Sequence, residues 1–254
     1  MRHMLKENLG LITSRQMDKS GIQPVFITNT IIDAHSITSA TSISYLFPLF
    51  LYPDEKELNL LNYMEQKREP NIDQTILLKL QEVYDQLISP EQLLQYIYAV
   101  LSSPLYQQTY ADFLKFDFPR VPFTADSALF QQMAALGKRL VDLHLLRSPE
   151  LEQPIARFEG KGDDLTIATP KYDPKTKRVW INATYYFEGI TPEVWEYQIG
   201  GYQVLDKYLK ARKGRSLEDP RHILRVATSL AKTIEIQQEI DALYPKVEED
   251  LITF

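Results

Sequence analysis

The sequence predicts an α+β fold, because its hydrophobic period changes twice along the chain. Up to about Tyr52 the apolar residues come in short runs rich in Ile, Val, Phe and Tyr; from Asp54 they recur at three-and-four spacing; near Ile155 the short extended runs return. A third observation joins these: a small ribbon of strands is marginal in water, so strands with polar turns need partners elsewhere in the chain. The expected architecture is a sequence-discontinuous β-sheet or barrel-like layer, with strands from 9–51 and 155–187, an inserted helical layer and C-terminal helices. With 254 residues, 44% of them hydrophobic, the chain can bury a full core without metal or disulfide. One domain over 1–254 is expected, made of a strand block at 8–52, a helical layer at 54–146, a second strand block at 155–187 and helices over 191–254.

The first block predicts strands near 9–14, 24–28 and 43–51, separated by Ser, Thr, Gly and Asn. Helical spacing then links Leu58, Leu61 and Met64, and after Pro70 it links Ile76, Leu77, Leu80, Val83, Tyr84 and Leu87, with Asp54 and Asp73 as N-caps. Ser89-Pro90 and Ser103-Pro104 each place a capping hydroxyl before a proline at the first helical position, so helices follow over 90–103 and 104–116. FDFPRVPF, 116–123, carries two prolines in an apolar string and reads as an extended segment pinned against the core; Arg120 is its only cation. Asp126 opens an amphipathic helix over 127–146, with His144 as a helix-terminal or core residue.

In the second block DPKTK, 173–177, lies between two extended runs and predicts a hairpin. Thr191-Pro192 caps a short helix, Gly200-Gly201 breaks the chain, and a helix follows over 202–212. The last helix starts near Asp219 and Pro220 and is expected to stop at Pro245, before an acidic tail. Trp180, Trp195, Tyr185 and Tyr186 read as core rather than as platforms for stacking bases.

Several chemistries lack their parts. The sequence contains no phosphate-cradling loop ending in Gly-Lys-Ser/Thr, no GxGxxG, no GxSxG elbow, no Asn-Pro-Pro-aromatic signature of an amino-methyltransferase and no Cys. Asp163-Asp164 sits in a turn, where solvated carboxylates are the default. No catalytic residue and no cofactor are expected. The four His lie far apart without i,i+4 pairing, so no metal site is expected; His35 near Asp33 is the one combination left. The apolar run 43–52 is interrupted by Ser44 and Pro48 and is too short to span a bilayer. Lys6, Glu7 and Asn8 interrupt what would be a signal peptide core, and a cytoplasmic setting is expected.

Charge points to one place. The formal net charge is -6, yet five of the nine residues 207–215 are basic. A positive cluster on an acidic background attracts polyanions whatever the net charge. Read as structure alone, the same cations complement a helix dipole, with Gly214 ending the helix.

The strings PEQLLQYIYAVLSSPLYQQTYADFLKFDFPRVPF, ALGKRLVDLHLL and VWINATYYFEGITPEVWEYQIGGYQVLDKYLKARKGRSL resemble the C-terminal part of the single-polypeptide Type ISP restriction-modification enzymes. NLGLITSRQ, VFITNTIIDAH and SYLFPLFLYP resemble the segment that follows the methyltransferase there, so the resemblance runs from about Asn8 to Phe254. In that family a nuclease, an ATP-driven translocase and an adenine-N6 methyltransferase precede a target recognition domain, and this chain resembles only the last. The resemblance implies reading of a short asymmetric sequence in double-stranded DNA, directing methylation and restriction performed by other domains or subunits.

Base edges are read by Arg on guanine and by Asn or Gln on adenine, while cations fix the register on phosphate. Arg15 and Gln16, with Asn29 as a weaker candidate, are the base readers expected on this logic. Tyr202, Gln203, Lys207, Lys210, Arg212, Lys213 and Arg215 are the candidate phosphate contacts. Each taken singly reads also as a solvated surface residue. The competing function is a helical protein-interaction module that docks a methyltransferase or translocase without touching DNA; the acidic balance and the amount of amphipathic helix support it.

Overall fold

A computed structural model describes residues 2–16, 23–32, 43–53, 68–199 and 201–254. Helices and small antiparallel sheets divide into two compact units, the first formed by 1–141 with 239–254 and the second by 142–238.

In the first unit, β1 (Gly10–Ser14) lies between β2 (Val25–Thr28) and β3 (Ser44–Pro48), antiparallel to both. A short pair, β4 (Phe50–Leu51) with β5 (Glu69–Pro70), continues from it. Buried Asn8 ties the two together, donating from Nδ2 to the Phe50 carbonyl (2.8 Å) and accepting the Phe50 N–H at Oδ1 (3.1 Å).

The helices begin where local chemistry says they should. Asp73 accepts the Thr75 N–H (2.8 Å) at the start of α1 (Gln74–Tyr84). Ser89 and Gln92 close a reciprocal capping box on α2 (Pro90–Ser102), satisfying two otherwise orphaned donors. Ser103 caps α3 (Pro104–Thr109), and Tyr110, at φ -102° and ψ 15°, separates it from α4 (Ala111–Leu114), so the single helix expected over 104–116 is two. Asp126 Oδ1 accepts the Ala128 and Leu129 N–H groups at the start of α5 (Ser127–His144). α2 and α5 meet at Gly137, where an added Cβ would lie 1.8 Å from the Gln95 carbonyl oxygen; only glycine fits.

FDFPRVPF is extended, and its pinning is specific. Three buried tyrosines from three successive helices donate to alternate carbonyls along the segment: Tyr106 to Arg120 (2.8 Å), Tyr96 to Pro122 (2.9 Å) and Tyr84 to Thr124 (2.6 Å). A two-residue period is what an extended backbone presents to one side. The end of the chain completes this unit. Asp241 accepts from the Ser103 hydroxyl (2.5 Å), Glu248 accepts from Tyr110 and Tyr244, and Leu251 bridges to Thr124.

In the second unit, β6 (Arg157–Glu159), β7 (Lys171–Asp173), β8 (Arg178–Trp180) and β9 (Tyr186–Glu188) form an antiparallel sheet in the order β6-β9-β8-β7. Asp173 holds the hairpin turn by accepting from the Lys175 N–H and the Thr176 hydroxyl. The central row, Phe158, Phe187, Val179 and Tyr172, faces a core shared with Trp195 of α6 (Pro192–Glu196), Leu205 and Leu209 of α7 (Val204–Lys210), and Ile223, Ala227 and Leu230 of α8 (Pro220–Glu249). Between α6 and α7, β10 (Gln198–Ile199) pairs with β11 (Tyr202–Gln203), so the helix expected over 202–212 begins two residues later.

Three expectations are corrected. The strand blocks do not share a sheet among the described residues: β1–β3 pair with one another, β4 pairs with β5 just beyond its block, β6–β9 pair with one another, and none of these sheets closes into a barrel. Neighbouring strands of the same block satisfy the backbone groups, so no distant partner is required. Second, α8 runs through Pro245 to Glu249. A proline inside a helix costs about 3 kcal/mol, but Tyr244 and Val247 are fully buried on the same helix, and their packing outweighs it. Third, Trp180 and Tyr186 occupy the outward rows of the four-stranded sheet, half-buried against each other at 4.5 Å, whereas Trp195 is core. The helical pattern of Leu58, Leu61 and Met64, the Asp54 cap, Asp33, His35 and Gly200 lie outside the described residues.

Candidate nucleic-acid interface

Arg15 and Gln16 follow β1 directly and are exposed. The strand end that carries them is held by buried Gln23, whose Nε2 donates to Thr13 Oγ1 (3.1 Å) and to the Ser14 carbonyl, and by Ser14 Oγ donating to the Gln16 carbonyl (2.6 Å). Arg15 Nε donates to Asp117 Oδ1 at 3.3 Å, across 102 residues of sequence. Asp117 accepts the Phe118 N–H at 2.9 Å as well; that bond, and then Arg15, hold its carboxyl below the usual carboxylate range. Phe118 sits edge-on to Tyr45 (5.0 Å) and Phe47 (5.7 Å) of β3, two partly exposed aromatics.

Asn29 is placed elsewhere. It follows β2 beyond the Gly10–Thr28 pair, at the opposite end of the sheet from Arg15, roughly 20 Å away along the strands at about 3.3 Å per residue. It is exposed. The structure therefore brings Arg15 and Gln16 together and leaves Asn29 apart.

The seven candidates for phosphate contact form one continuous feature of the second unit, β11, α7 and the turn after it. Lys207 Nζ stands 3.5 Å from the centre of the Tyr202 ring, and the Arg212 guanidinium 3.6 Å from that of Tyr208 while donating to the Tyr208 carbonyl. Lys210 pairs with Asp206 one turn back (2.7 Å). Gln203 is the N-cap of α7 without a capping side-chain bond. Lys213 and Arg215 are exposed on either side of Gly214, whose φ of 80° lets the chain turn back. That turn is zipped to 165–167 by bonds from Gly214 N to the Ile167 carbonyl, Ile167 N to Arg215 and Leu217 N to Leu165. Cations at the end of α7 thus stand on a fixed backbone. Tyr202 and Tyr208 supply ring faces, each worth about 0.5–1 kcal/mol to a cation at an exposed site.

The structure adds a second charged feature that the sequence reading does not single out. Across the outer face of the four-stranded sheet, Arg157, Glu188, Arg178 and Asp173 fall in one row of the register. Arg178 donates twice to Glu188 Oε1 (2.6 and 2.9 Å), Arg157 pairs with Oε2 (3.1 Å), and Arg178 also lies over the Tyr186 ring. The signal is present as i,i+2 alternation in RFE, RVW and YFE, but the partners are set by register, which alternation alone does not give. These cations are neutralised in place.

Burial lowers His144 to a pKa of about 4, and its Nε2 lies 2.9 Å from Thr233 Oγ1, so it is a neutral, partly buried group at the end of α5. Among the described residues no cluster of three or more His, Asp or Glu could hold a metal ion, and no helix is long and apolar enough to cross a membrane.

Comparison with known proteins gives the fold a context. Over 92% of its length the chain superposes on a nuclease-deletion mutant of the Type ISP restriction-modification enzyme LlaGI solved with a DNA substrate mimic (TM-score 0.65, 22% identity, 21% of that chain). It is similar to DrdV in a DNA complex (TM-score 0.68, 22% identity, 92% of this chain and 24% of that one). A third similar structure is the ATP-dependent Type ISP enzyme LlaBIII bound to DNA (TM-score 0.67, 20% identity, 98% of this chain and 16% of that one). The chain thus spans a quarter or less of the length of these proteins, and no curated protein matches it. Its family is carried by the sequence: the chain belongs to the Type ISP C-terminal specificity domains, whose family model matches residues 1–242.

Proposed function

We propose that residues 1–254 act as a target recognition domain, reading a short sequence in double-stranded DNA so that methylation of adenine and restriction by other domains or subunits are directed to it. The observation that carries this reading is membership of the specificity-domain family over 1–242. The geometry is compatible with a division of labour. Arg15 and Gln16, side by side on a braced strand end, suit base edges, and Asn29 is a separate, weaker contact. Lys207, Lys210, Arg212, Lys213 and Arg215, with Tyr202 and Gln203, suit phosphate, because they are displayed from backbone that need not reorganise. The chain itself carries no methyl transfer, ATP hydrolysis or DNA cleavage, and it works in the cytoplasm, where its DNA is.

The runner-up, a module that docks a methyltransferase or translocase without DNA contact, is favoured by one observation: on the outer face of the four-stranded sheet Arg157 and Arg178 share Glu188, with Asp173 completing a row of no net charge, and Trp180 and Tyr186 stay partly exposed. Salt separates the readings. Phosphate contact gives affinity that falls linearly on a log–log plot against salt, whereas protein docking leaves duplex DNA unbound at every salt concentration. Sequencing methylated sites in host DNA with and without the gene identifies the target; unchanged methylation would reject the recognition role.

A further inference from the structure

Stability does not account for the Arg15–Asp117 pair. Both side chains are more than half exposed (61% and 57%), a setting in which ion pairs contribute little while restricting two flexible side chains. Yet the acid is braced more thoroughly than a surface carboxylate needs. The Phe118 N–H fixes its Oδ1, the Phe118 ring is wedged against Tyr45 and Phe47, and two residues further on the Arg120 carbonyl is held by the Tyr106 hydroxyl. The result is an acceptor held still beside an exposed arginine at a strand end.

The atom it engages is informative. Asp117 meets Arg15 at Nε, set back from the tip, whereas an arginine reading guanine end-on presents Nη1 and Nη2 to O6 and N7. A carboxylate on Nε orients the planar fork without using that edge, and ordering the fork beforehand removes part of the entropy cost of binding. Asp117 also places a negative charge beside Arg15, which disfavours non-specific contact with phosphate.

We propose that Asp117 is a positioning residue for specificity: it holds the Arg15 guanidinium end-on for a guanine edge in the major groove. This rests on the recognition role proposed above. Asp117 touches no base itself. Its variants should therefore alter discrimination through Arg15 and leave general affinity for DNA unchanged or raised.

The test uses the purified chain and a pool of duplexes with randomised positions, sequencing the bound fraction for wild type, R15A, D117A, D117N and R15A/D117A. R15A is expected to relax preference for one guanine by about 5- to 150-fold, the range of a bidentate contact. D117A should relax the same position by roughly 3- to 10-fold, with binding to scrambled duplex equal to or tighter than wild type. D117N keeps an acceptor for Nε–H and should stay within about twofold of wild type. The double variant should be no worse than R15A. Preference unchanged in D117A, or relaxed at a base other than the one R15A affects, would overturn the proposal while leaving DNA recognition standing; the second pattern would mean that Asp117 reads a cytosine amino group directly. A wild-type chain that enriches no sequence would instead reject the recognition role, and the proposal with it. Because both side chains are exposed, matching unfolding midpoints should confirm that no variant acts through misfolding.

Discussion

The two candidate DNA-contact surfaces, one in each unit, fix their cations by different means. In the first, Arg15 is oriented by an acid 102 residues away, and that acid belongs to a segment pinned by hydroxyls from three helices. In the second, Lys207, Lys210 and Arg212 find their partners within four or five residues, on Tyr202, Asp206 and Tyr208. A local partner forms whenever the helix forms; a distant one exists only when the whole unit has folded. A contact that must be accurate to an ångström, such as a base edge, therefore suits the first arrangement, and contacts that need only supply positive charge suit the second.

The difference can be broken first at a glycine. Gly137→Ala would set a methyl against the Gln95 carbonyl, force α2 from α5 and cost about 3 kcal/mol or more. Urea unfolding should show this loss, and with it loss of Arg15-dependent discrimination before general DNA affinity. Acid probes the second unit. His144 is neutral in the fold, with its pKa lowered to about 4 by burial, so the unfolded chain binds the extra proton below its ordinary value near 6.5. The stability it contributes is full above about pH 6.5 and lost as pH falls toward 4, up to about 3 kcal/mol. Unfolding of His144→Gln measured at pH 7 and pH 4.5 should show a smaller acid loss than wild type. In the first unit burial raises Tyr84, Tyr96 and Tyr106, which stay neutral over the same range.

Smaller effects sharpen the comparison. Tyr106→Phe removes the donor to the Arg120 carbonyl and should cost about 1–2 kcal/mol in unfolding experiments. Gly214→Ala meets nothing within 4 Å, so only the left-handed backbone opposes it; about 1 kcal/mol is expected, read from the same denaturation curves. Least of all should stability respond to Ala at Lys210, Arg212, Lys213 or Arg215, within about 0.5 kcal/mol each. Their effect belongs to binding: about equal weakening on cognate and scrambled duplexes, with the salt slope falling by roughly one for each phosphate partner removed, measured by titration at several salt concentrations.

The same local-versus-distant division governs what the sequence makes legible. Ser89 with Gln92, Ser103, Asp73 and Asp126 announce their helices, and DPKTK its hairpin, because each device closes within a few residues. The basic turn after α7 is legible for the same reason. Strand alternation shows where strands lie but not which strands pair, so it does not separate two sheets from one. Pro245 signals a helix end that buried Tyr244 and Val247 override. Nothing near Arg15 in the chain names Asp117, and nothing near Tyr106 names Arg120. Those pairings belong to the folded unit.

The return of 239–254 to the first unit has a consequence during synthesis. The ribosome releases residues in order, and the second unit's chain, 142–238, emerges while the first still lacks its closing segment. Until then Ser103 has no Asp241, Tyr110 has no Glu248 and Thr124 has no Leu251. The braced acid beside Arg15 lies in a segment bordered by Thr124, so the surface proposed to tell one DNA sequence from another gains its last supports after the basic turn at 207–215 has been made. The bonds that zip the basic turn, by contrast, join 214–217 to 165–167, all of which precede 239–254 in the chain.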